Sequence, residues 1–146
     1  MIPSVAYLIG VGGAGMSAIA RYLLKSGCEV YGYDRVKTSL TEKLEQEGVQ
    51  VNYALSLTAI PEAVRIESGK LLLITTPAIS SSHPHLIHLK KEGHNAIKRS
   101  EFLGQITENK PTLAIAGTHG KTTITAILAH ILAGTENGCN AFIGGI

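Results

Sequence analysis

The sequence predicts an α/β protein built on a doubly wound parallel sheet, and three observations lead to that prediction. Short apolar runs that suit buried strands alternate along the chain with helical patterns, which is typical of a parallel sheet covered on both faces. A glycine-rich turn at residues 10–15 separates the first apolar run from the first helical pattern. A second glycine-rich turn, at residues 117–123, also stands between an apolar run and a helical pattern.

The local patterns place each element in order. Clusters of apolar residues predict strands at residues 5–9, 30–33, 49–52, 71–75 and 95–97. The 3.6-residue period and its end signals predict helices that begin at Met16 and that span residues 40–47, 84–92 and 100–108. Ser100 is the expected N-cap of the last of these helices. Residues 57–64 predict a weak helix.

The pattern begins again after a boundary at Asn109, Lys110 and Pro111. A strand at residues 113–116 leads into the second glycine-rich turn, a helix runs to about residue 133, and a strand follows at residues 139–143. One such unit cannot bury both faces of its own sheet. We therefore expect residues 1–108 to form a Rossmann-like domain and residues 112–146 to be the truncated opening of a second α/β domain. Its exposed apolar surface favours lower stability and a homodimer.

Composition excludes several classes of function. The chain has 146 residues and a net charge of only +2, which gives no reason for attraction to nucleic acid or to a membrane. It has no apolar run near the ~20 residues that a membrane-spanning helix needs. Residues 1–4 lack the basic start of a signal peptide. Cys28 and Cys139 have no motif spacing, so we expect reduced, partly buried thiols and a cytoplasmic protein.

The first glycine-rich turn, residues 10–15, is called the glycine turn below. It fits G-x-G-x-x-G, follows a predicted strand, and is followed about twenty residues later by Asp34 at the end of the second strand. This arrangement predicts a ligand with a diphosphate at the start of the first helix, and Gly12 is expected to leave space for that diphosphate. The motif does not name the ligand, and a tight turn without a ligand is the plain alternative.

The second turn, residues 117–123, is called the phosphate turn below. It reads G-T-H-G-K-T-T, and its glycines allow backbone N–H groups to face phosphate oxygens at a helix N-terminus. Lys121 suits the outer phosphates and Thr122 suits Mg²⁺. The general eight-residue pattern fails because Ile115 stands where its first glycine belongs. The ATP-binding candidates are Gly117, Thr118, His119, Gly120, Lys121, Thr122 and Thr123.

Five segments in this order resemble the Mur ligase family, and the resemblance covers essentially the whole chain. They are residues 10–17, Asp34, residues 76–79 (T-P-A-I), residues 98–101 (K-R-S-E) and residues 116–123. The resemblance implies a three-domain enzyme of which this chain is the first domain and the opening of the central ATPase domain. The chain departs from the pattern of many relatives at Tyr33, where they carry Ser, and at residues 83–85, where H-P-H replaces N-P-E.

The resemblance implies ATP-dependent synthesis of an amide bond. The carboxylate of UDP-N-acetylmuramate is activated as an acyl phosphate, which the amine of L-alanine then attacks. It implies that Lys121 and Thr122 are catalytic, that Thr122 holds Mg²⁺, and that the glycine turn binds the UDP part of the substrate. The substrate-binding candidates are Gly10, Gly12, Gly13, Ala14, Gly15, Met16, Ser17, Asp34, Thr76 and Arg99.

Some side chains allow a plainer role beside the functional one. Arg99 suits a substrate carboxylate or phosphate, and equally a surface ion pair with Glu101 or another neighbour. His119 suits a ligand contact, or it shapes its loop through a backbone hydrogen bond. The three histidines at positions 83, 85 and 88 lack a known ligand spacing, so a solvated helix terminus is favoured over a metal site.

Two other classes of function stay open. A nicotinamide-dependent dehydrogenase accounts for the glycine turn and Asp34 but leaves the phosphate turn unexplained. A non-catalytic nucleotide-sensing module accounts for a short chain but gives no reason for two phosphate-binding turns.

Overall fold

The fold is a single parallel sheet with helices on both faces. The computed structural model describes residues 3–65, 70–108, 110–136 and 138–143. Five strands pair in the order β3-β2-β1-β4-β5, and every pair is parallel. The strands are β1 (Val5–Ile9), β2 (Glu29–Tyr33), β3 (Gln50–Asn52), β4 (Leu71–Thr75) and β5 (Ala96–Lys98). The winding reverses between β1 and β4, so the predicted doubly wound sheet is confirmed.

The helices agree with the sequence pattern except at two places. They are α1 (Ala14–Lys25), α2 (Ser39–Gln46), α3 (Pro84–Lys91), α4 (Arg99–Thr107) and α5 (Lys121–Ala133). The weak helix predicted at residues 57–64 is instead two short 3₁₀ turns, Leu57–Ala59 and Glu62–Val64, because Pro61 between them has no N–H to continue a helix.

The predicted N-cap of α4 is also wrong. Lys98 caps the helix, and Ser100 lies inside its first turn. The reason is the Glu101 carboxylate, which reaches back and accepts the Lys98 N–H at 3.0 Å. That bond satisfies one donor at the helix N-terminus and starts the helix before Ser100.

Alternating side chains of β1 build two separate cores. Ala6 and Leu8 face a layer with α1 and α4, whereas Tyr7 and Ile9 face a layer with α3 and the 3₁₀ turns. All five residues of β1 are buried. Burial on both faces explains why this strand is a continuous apolar run in the sequence.

The chain after α4 does not form the predicted strands. Residues 113–116 and 139–143 are irregular, because none of the described residues offers them a strand to pair with. Helix α5 forms as predicted, but no side chain that the structure describes in it is buried. Ile127 and Ile131 are 56% and 60% exposed. Phe142 is the main link to the sheet domain, with its ring centroid 5.7 Å from that of Tyr22.

The two cysteines differ in their surroundings. Cys28 is buried, and burial raises the pKa of its thiol to about 11, with a smaller contribution from Glu29. Cys139 is exposed, so the expectation of partial burial is wrong there. Within the part of the chain that the structure describes, no helix is long and apolar enough to cross a membrane.

Gly32 provides a test of the packing behind the glycine turn. A Cβ atom on Gly32, in the middle of β2, would lie 2.7 Å from the Cβ of the buried Val11. We expect Gly32→Ala to lower the free energy of unfolding by about 1–3 kcal/mol, because the sheet must shift to admit the methyl group. Urea denaturation followed by circular dichroism measures the change.

Gly104→Ala in α4 is the matched control. A Cβ there meets no atom within 4 Å, and alanine is the better helix former, so this variant should gain about 0.5–1 kcal/mol. Equal stabilities for Gly32→Ala and the unchanged protein would contradict the packing described here.

Candidate functional site

The glycine turn lies at the carboxyl edge of the sheet, at the point where the winding reverses. Ligands of doubly wound proteins bind in the crevice at this position. Loops that follow β1, β2, β4 and β5 meet there. They bring together Gly10, Gly12, Gly13, Ala14, Gly15, Asp34, Thr76 and Arg99 from the predicted substrate-binding set.

Backbone hydrogen bonds fix the shape of the glycine turn. Gly10 has a φ of 87°, a left-handed conformation that side chains disfavour. The N–H groups of Gly10 and Val11 both donate to the Tyr33 carbonyl, at 2.7 and 3.1 Å. Gly13 donates to the Gly10 carbonyl at 3.2 Å and caps α1. In the first turn of α1 the Met16 N–H donates to the Gly13 carbonyl, whereas the N–H groups of Ala14 and Gly15 have no acceptor among the described residues and are available to an anion.

The Asp34 carboxylate is directed at this turn. Its Oδ2 accepts the Gly12 N–H at 2.8 Å, and its Oδ1 accepts the Val36 N–H at 3.3 Å. A Cβ on Gly12 would lie 2.8 Å from both Asp34 Oδ2 and Thr41 Cγ2. The close approach at Gly12 is therefore to the protein itself. The expectation that Gly12 leaves space for a diphosphate stays a prediction.

The other two loops close the site from its sides. A Cβ on Gly15 would lie 2.9 Å from Arg99 Nη1, so the guanidinium lies directly over the start of α1. The Glu101 carboxylate is directed to the Lys98 N–H, which favours a ligand role for Arg99 over the ion pair. Thr76 lies beside Gly10, and its hydroxyl accepts the Ala78 N–H at 3.3 Å.

Two predicted substrate-binding residues face the interior. The side chains of Met16 and Ser17 are 1% and 3% exposed. Ser17 Oγ donates to the Ala14 carbonyl at 2.8 Å, and the N–H groups of both residues donate to the Gly13 carbonyl. Both side chains therefore pack beneath the glycine turn and are not open to the crevice.

The phosphate turn surrounds the Lys121 ammonium. Gly117 and Gly120 have φ values of 154° and 76°, and Gly120 is the N-cap of α5. Lys121 Nζ donates to the carbonyls of Gly117 and Thr118. The left-handed glycines keep side chains out of the loop, and the ammonium supplies positive charge at its centre. This cradle fits the phosphates of a nucleotide.

The remaining side chains of the phosphate turn are exposed. The ring Nδ1 of His119 lies 3.2 Å from Thr118 Oγ1, a side-chain contact and not the backbone hydrogen bond of the plain alternative, and a ligand contact of His119 stays a prediction. Thr122 and Thr123 lie in the first turn of α5 and are open to solvent. The Thr122 hydroxyl is an oxygen ligand of the kind that Mg²⁺ prefers.

The histidines of residues 83–88 are not a solvated helix terminus, so that prediction is wrong. His85 is fully buried, and its Nδ1 lies 2.8 Å from the Tyr7 hydroxyl. Because Asn52 Nδ2 donates to that hydroxyl, Tyr7 donates to His85, whose Nε2–H then donates to the Ser56 carbonyl at 3.2 Å. The ring of Tyr33 contacts His83 and His85, at centroid distances of 4.7 and 5.1 Å.

The sequence contained one overlooked sign of this network. His85, Leu86 and Leu89 share the buried face of α3, and their spacing is helical. The partners lie 29 to 78 residues away in the chain, which local patterns cannot reveal. In the residues that the structure describes, no group of three or more His, Cys, Asp or Glu side chains is arranged to hold a metal ion.

The fold and the two turns define a class: a doubly wound α/β protein with one glycine-rich turn at the switch point of its sheet and a second glycine-rich turn at the start of α5. Comparison with known families agrees with that class. Residues 5–111 match the family described as "Mur ligase family, catalytic domain". This chain belongs to the Mur ligase family.

Individual relatives are similar over nearly all of this chain. A UDP-N-acetylmuramate–L-alanine ligase of Christiangramia forsetii is 49% identical over 140 residues, which cover 96% of this chain and 31% of the relative. The ligase of the same name from Porphyromonas gingivalis is 44% identical over 96% of this chain and 30% of its own length. The chain therefore spans about a third of the length of these relatives.

A solved structure shows the same likeness. The UDP-N-acetylmuramate–alanine ligase of Thermotoga maritima superimposes with a TM-score of 0.76 at 28% identity. The match covers 95% of this chain and 34% of that structure. The carboxyl-edge site described above therefore stands on a fold that this ligase shares.

The buried histidines predict a loss of stability in mild acid. Burial lowers the pKa of both His83 and His85 below the ordinary 6.5. The nearby His85 lowers the pKa of His83 further. The unfolded chain therefore binds more protons below about pH 6.5, so stability is complete above that pH and is lost as the pH falls toward the lowered values. The free energy of unfolding should fall between pH 7.5 and 5.5, by at most about 1.4 kcal/mol per pH unit for each histidine.

Urea denaturation across this pH range tests the prediction. His85→Gln should reduce the slope and also cost about 1–3 kcal/mol at pH 7.5, because the Tyr7 hydroxyl loses its acceptor. The exposed His130, changed to Gln, is the control and should leave the slope unchanged. A slope that His85→Gln does not alter would contradict the assignment.

Proposed function

We propose that this chain is the substrate-binding part and the opening ATP-binding part of an ATP-dependent ligase. The enzyme joins L-alanine to the carboxylate of UDP-N-acetylmuramate, a step in the synthesis of peptidoglycan precursors. The observation that carries the proposal is the presence in one chain of two separate glycine-rich turns, each at the start of a helix. The relatives named for this reaction, at up to 49% identity, support it.

The glycine turn binds the UDP part of the substrate in this proposal. The free N–H groups at the start of α1 and the Arg99 guanidinium lie together, and both attract an anion. A diphosphate that accepts from both is held at the switch point of the sheet. Thr76, which borders Gly10 on the opposite side, lines the neighbouring part of the groove.

The phosphate turn binds ATP in the same proposal. ATP would supply the phosphoryl group that converts the muramyl carboxylate to an acyl phosphate, and the amine of L-alanine would then form the amide bond as inorganic phosphate and a proton leave. Lys121 places its ammonium where negative charge develops on the transferred group. The Thr122 hydroxyl would hold Mg²⁺, which would supply positive charge to the phosphates. Thr118, His119 and Thr123 complete the wall of the cradle.

The two sites belong to two units of the chain. We propose a substrate domain at residues 1–108 and an ATP-domain segment at residues 112–146. The sheet domain ends with α4 at Thr107, and the family match ends at residue 111. Asn109, within the predicted boundary, lies outside the described residues. A cytoplasmic location, where ATP and sugar nucleotides occur, is part of the proposal, and association of two copies through α5 stays a prediction.

The alternative as a nicotinamide-dependent dehydrogenase has weaker support. Its fingerprint requires the Asp34 carboxylate to bind a ribose hydroxyl. Both oxygens of that carboxylate instead accept backbone N–H groups. The alternative of a nucleotide-sensing module leaves the second phosphate-binding turn without a role.

Calorimetric titration of the 146-residue chain separates the proposed substrate site from a nicotinamide site. We expect UDP-N-acetylmuramate to bind in preference to NAD, and Arg99→Ala to weaken that binding by about 10- to 100-fold, because a charge-assisted hydrogen bond is worth about 1.5–3 kcal/mol. Lys90→Ala, at the exposed end of α3, removes an equal charge away from the site and is the control. Tight binding of NAD with no response to the UDP-sugar would refute the proposal.

Lys121→Ala tests the phosphate turn in a full-length protein that carries this chain. We expect ligation to fall by about 10²–10³-fold, because the phosphoryl group loses a stabilising charge in the transition state. The fold should be unaffected, since the side chain is exposed. Phosphate release with L-alanine and UDP-N-acetylmuramate is the measurement, and Lys91→Ala is the control. Near-normal release in Lys121→Ala would show that the phosphate turn has another role.

A further inference from the structure

We propose that the loop between β4 and α3, residues 76–83, is held beside the glycine turn by the His83 ring, and that a proton on this ring releases the loop. These residues are called the β4–α3 loop below. Such a pH-sensitive loop goes beyond the proposed function, and it rests on that function only in the effect that release has on ligand binding.

The β4–α3 loop is attached to the rest of the domain at two points. Its described hydrogen bonds stay within the loop and the elements that flank it: the Ile79 N–H donates to the Thr76 carbonyl at 3.1 Å, and the His83 N–H donates to the Ser80 carbonyl at 3.0 Å. Among residues 77–82, every residue except Ile79 is exposed. The side chains of Ile79 and His83 therefore hold the loop in place.

The first of these side chains contacts the glycine turn. Ile79 Cδ1 lies 3.4 Å from the position that a Cβ on Gly10 would take, and Thr76 Oγ1 lies 3.8 Å from it. Gly10 in turn donates its N–H to the Tyr33 carbonyl at 2.7 Å. Release of the loop therefore uncovers one side of the glycine turn.

The second side chain is an imidazole without polar partners. The His83 ring is partly buried, and its centroid lies 4.7 Å from that of Tyr33 and 5.2 Å from that of His85. Both nitrogens of the His83 ring are buried, and neither has a hydrogen-bond partner among the described residues. A protonated ring would bring a charge and two N–H donors to a place that offers them no acceptor. Protonation therefore favours a position in which the ring reaches water.

The neighbours of His83 do not compensate a positive charge. The titratable groups on the elements around the two inner histidines are Tyr7 of β1, Tyr33 of β2 with the adjacent and oppositely charged Asp34 and Arg35, and His88 of α3. In the described part of the chain, no carboxylate forms an ion pair with His83 or His85, whereas Glu92 lies 3.1 Å from His88. Burial lowers the pKa of His83, and His85 lowers it further.

His85 is not the ring that a proton releases. Its Nδ1 is bonded to the Tyr7 hydroxyl and its Nε2 to the Ser56 carbonyl, so both of its nitrogens have partners. Those bonds fix His85 to β1 and to the segment before the first 3₁₀ turn. His83 has no such bond, and its ring can leave while α3 stays in place.

Hydrogen exchange of the loop amides, measured by NMR in the 146-residue chain, tests the proposal without a ligand. A single hydrogen-bonded turn is not stable on its own, so release exposes the Ile79 and His83 N–H groups. The pKa of the released ring returns to the ordinary 6.5, so the released loop binds more protons and gains population below that pH. The protection factors of both amides should therefore fall by about three- to tenfold between pH 7.5 and 5.5. The Leu73 amide of β4 reports global unfolding and should stay better protected.

His83→Phe is the decisive variant, because it keeps an aromatic ring against Tyr33 and cannot take a proton. We expect its loop amides to be at least as protected as those of the unchanged chain at pH 7.5, with no fall at pH 5.5. His130→Phe, the same change at an exposed residue of α5, is the control and should keep the fall. No fall in the unchanged chain, or an equal fall in His83→Phe, would overturn the proposal. His83→Gln, which also does not titrate, replaces His83→Phe if that variant does not fold.

UDP is the probe for the effect on the ligand site. If the closed loop is the form that binds, UDP at ten times its measured dissociation constant should raise the protection of the Ile79 and His83 amides by about tenfold at pH 7.5. Bound UDP with unchanged protection would refute the link between the loop and the glycine turn. If UDP does not bind, the proposed substrate site fails, and the exchange measured without a ligand still decides whether His83 holds the loop.

Discussion

The Tyr33 carbonyl is the acceptor on which the candidate site depends. It receives the N–H groups of Gly10 and Val11, so one oxygen at the end of β2 fixes the direction in which the chain leaves β1. That direction sets where α1 begins, and with it the positions of the free N–H groups and of Gly15 beneath Arg99. The parallel pairing of β1 with β2, Ile9 opposite Tyr33, brings this acceptor to the turn. The register of β1 against β2 therefore also determines the geometry of the candidate site.

The departures of this chain from the pattern of many relatives form one packing unit. Tyr33 ends β2, whereas His83 and His85 lie at the start of α3. The centroids of their three rings lie 4.7–5.2 Å apart. A larger side chain at position 33 needs neighbours that pack against an aromatic face, and two imidazoles supply them. The three rings therefore form one contact group between the end of β2 and the start of α3.

Local sequence patterns predicted the elements that depend on neighbouring residues in the chain. The five strands, the glycine turn and the start of α5 follow from apolar periods and glycine positions, and the structure has them. The prediction of a strand at residues 113–116 is wrong, because a strand forms only when it pairs with a neighbouring strand. An apolar run such as L-A-I-A carries no information on whether such a neighbour is present. The Tyr7–His85 network and the bond from Gly12 to Asp34 join distant segments, so only the folded chain shows them. Met16 matched a motif position, but its helical phase turned it inward.

The hydrogen bonds of Lys121 have a consequence for how a ligand first meets the phosphate turn. An ammonium carries three N–H donors, and the carbonyls of Gly117 and Thr118 take two of them. The third donor is left for an incoming anion, which can be captured before either internal bond is broken. If the phosphate turn binds ATP as proposed, the first contact with the ligand does not require either internal hydrogen bond of Lys121 to break.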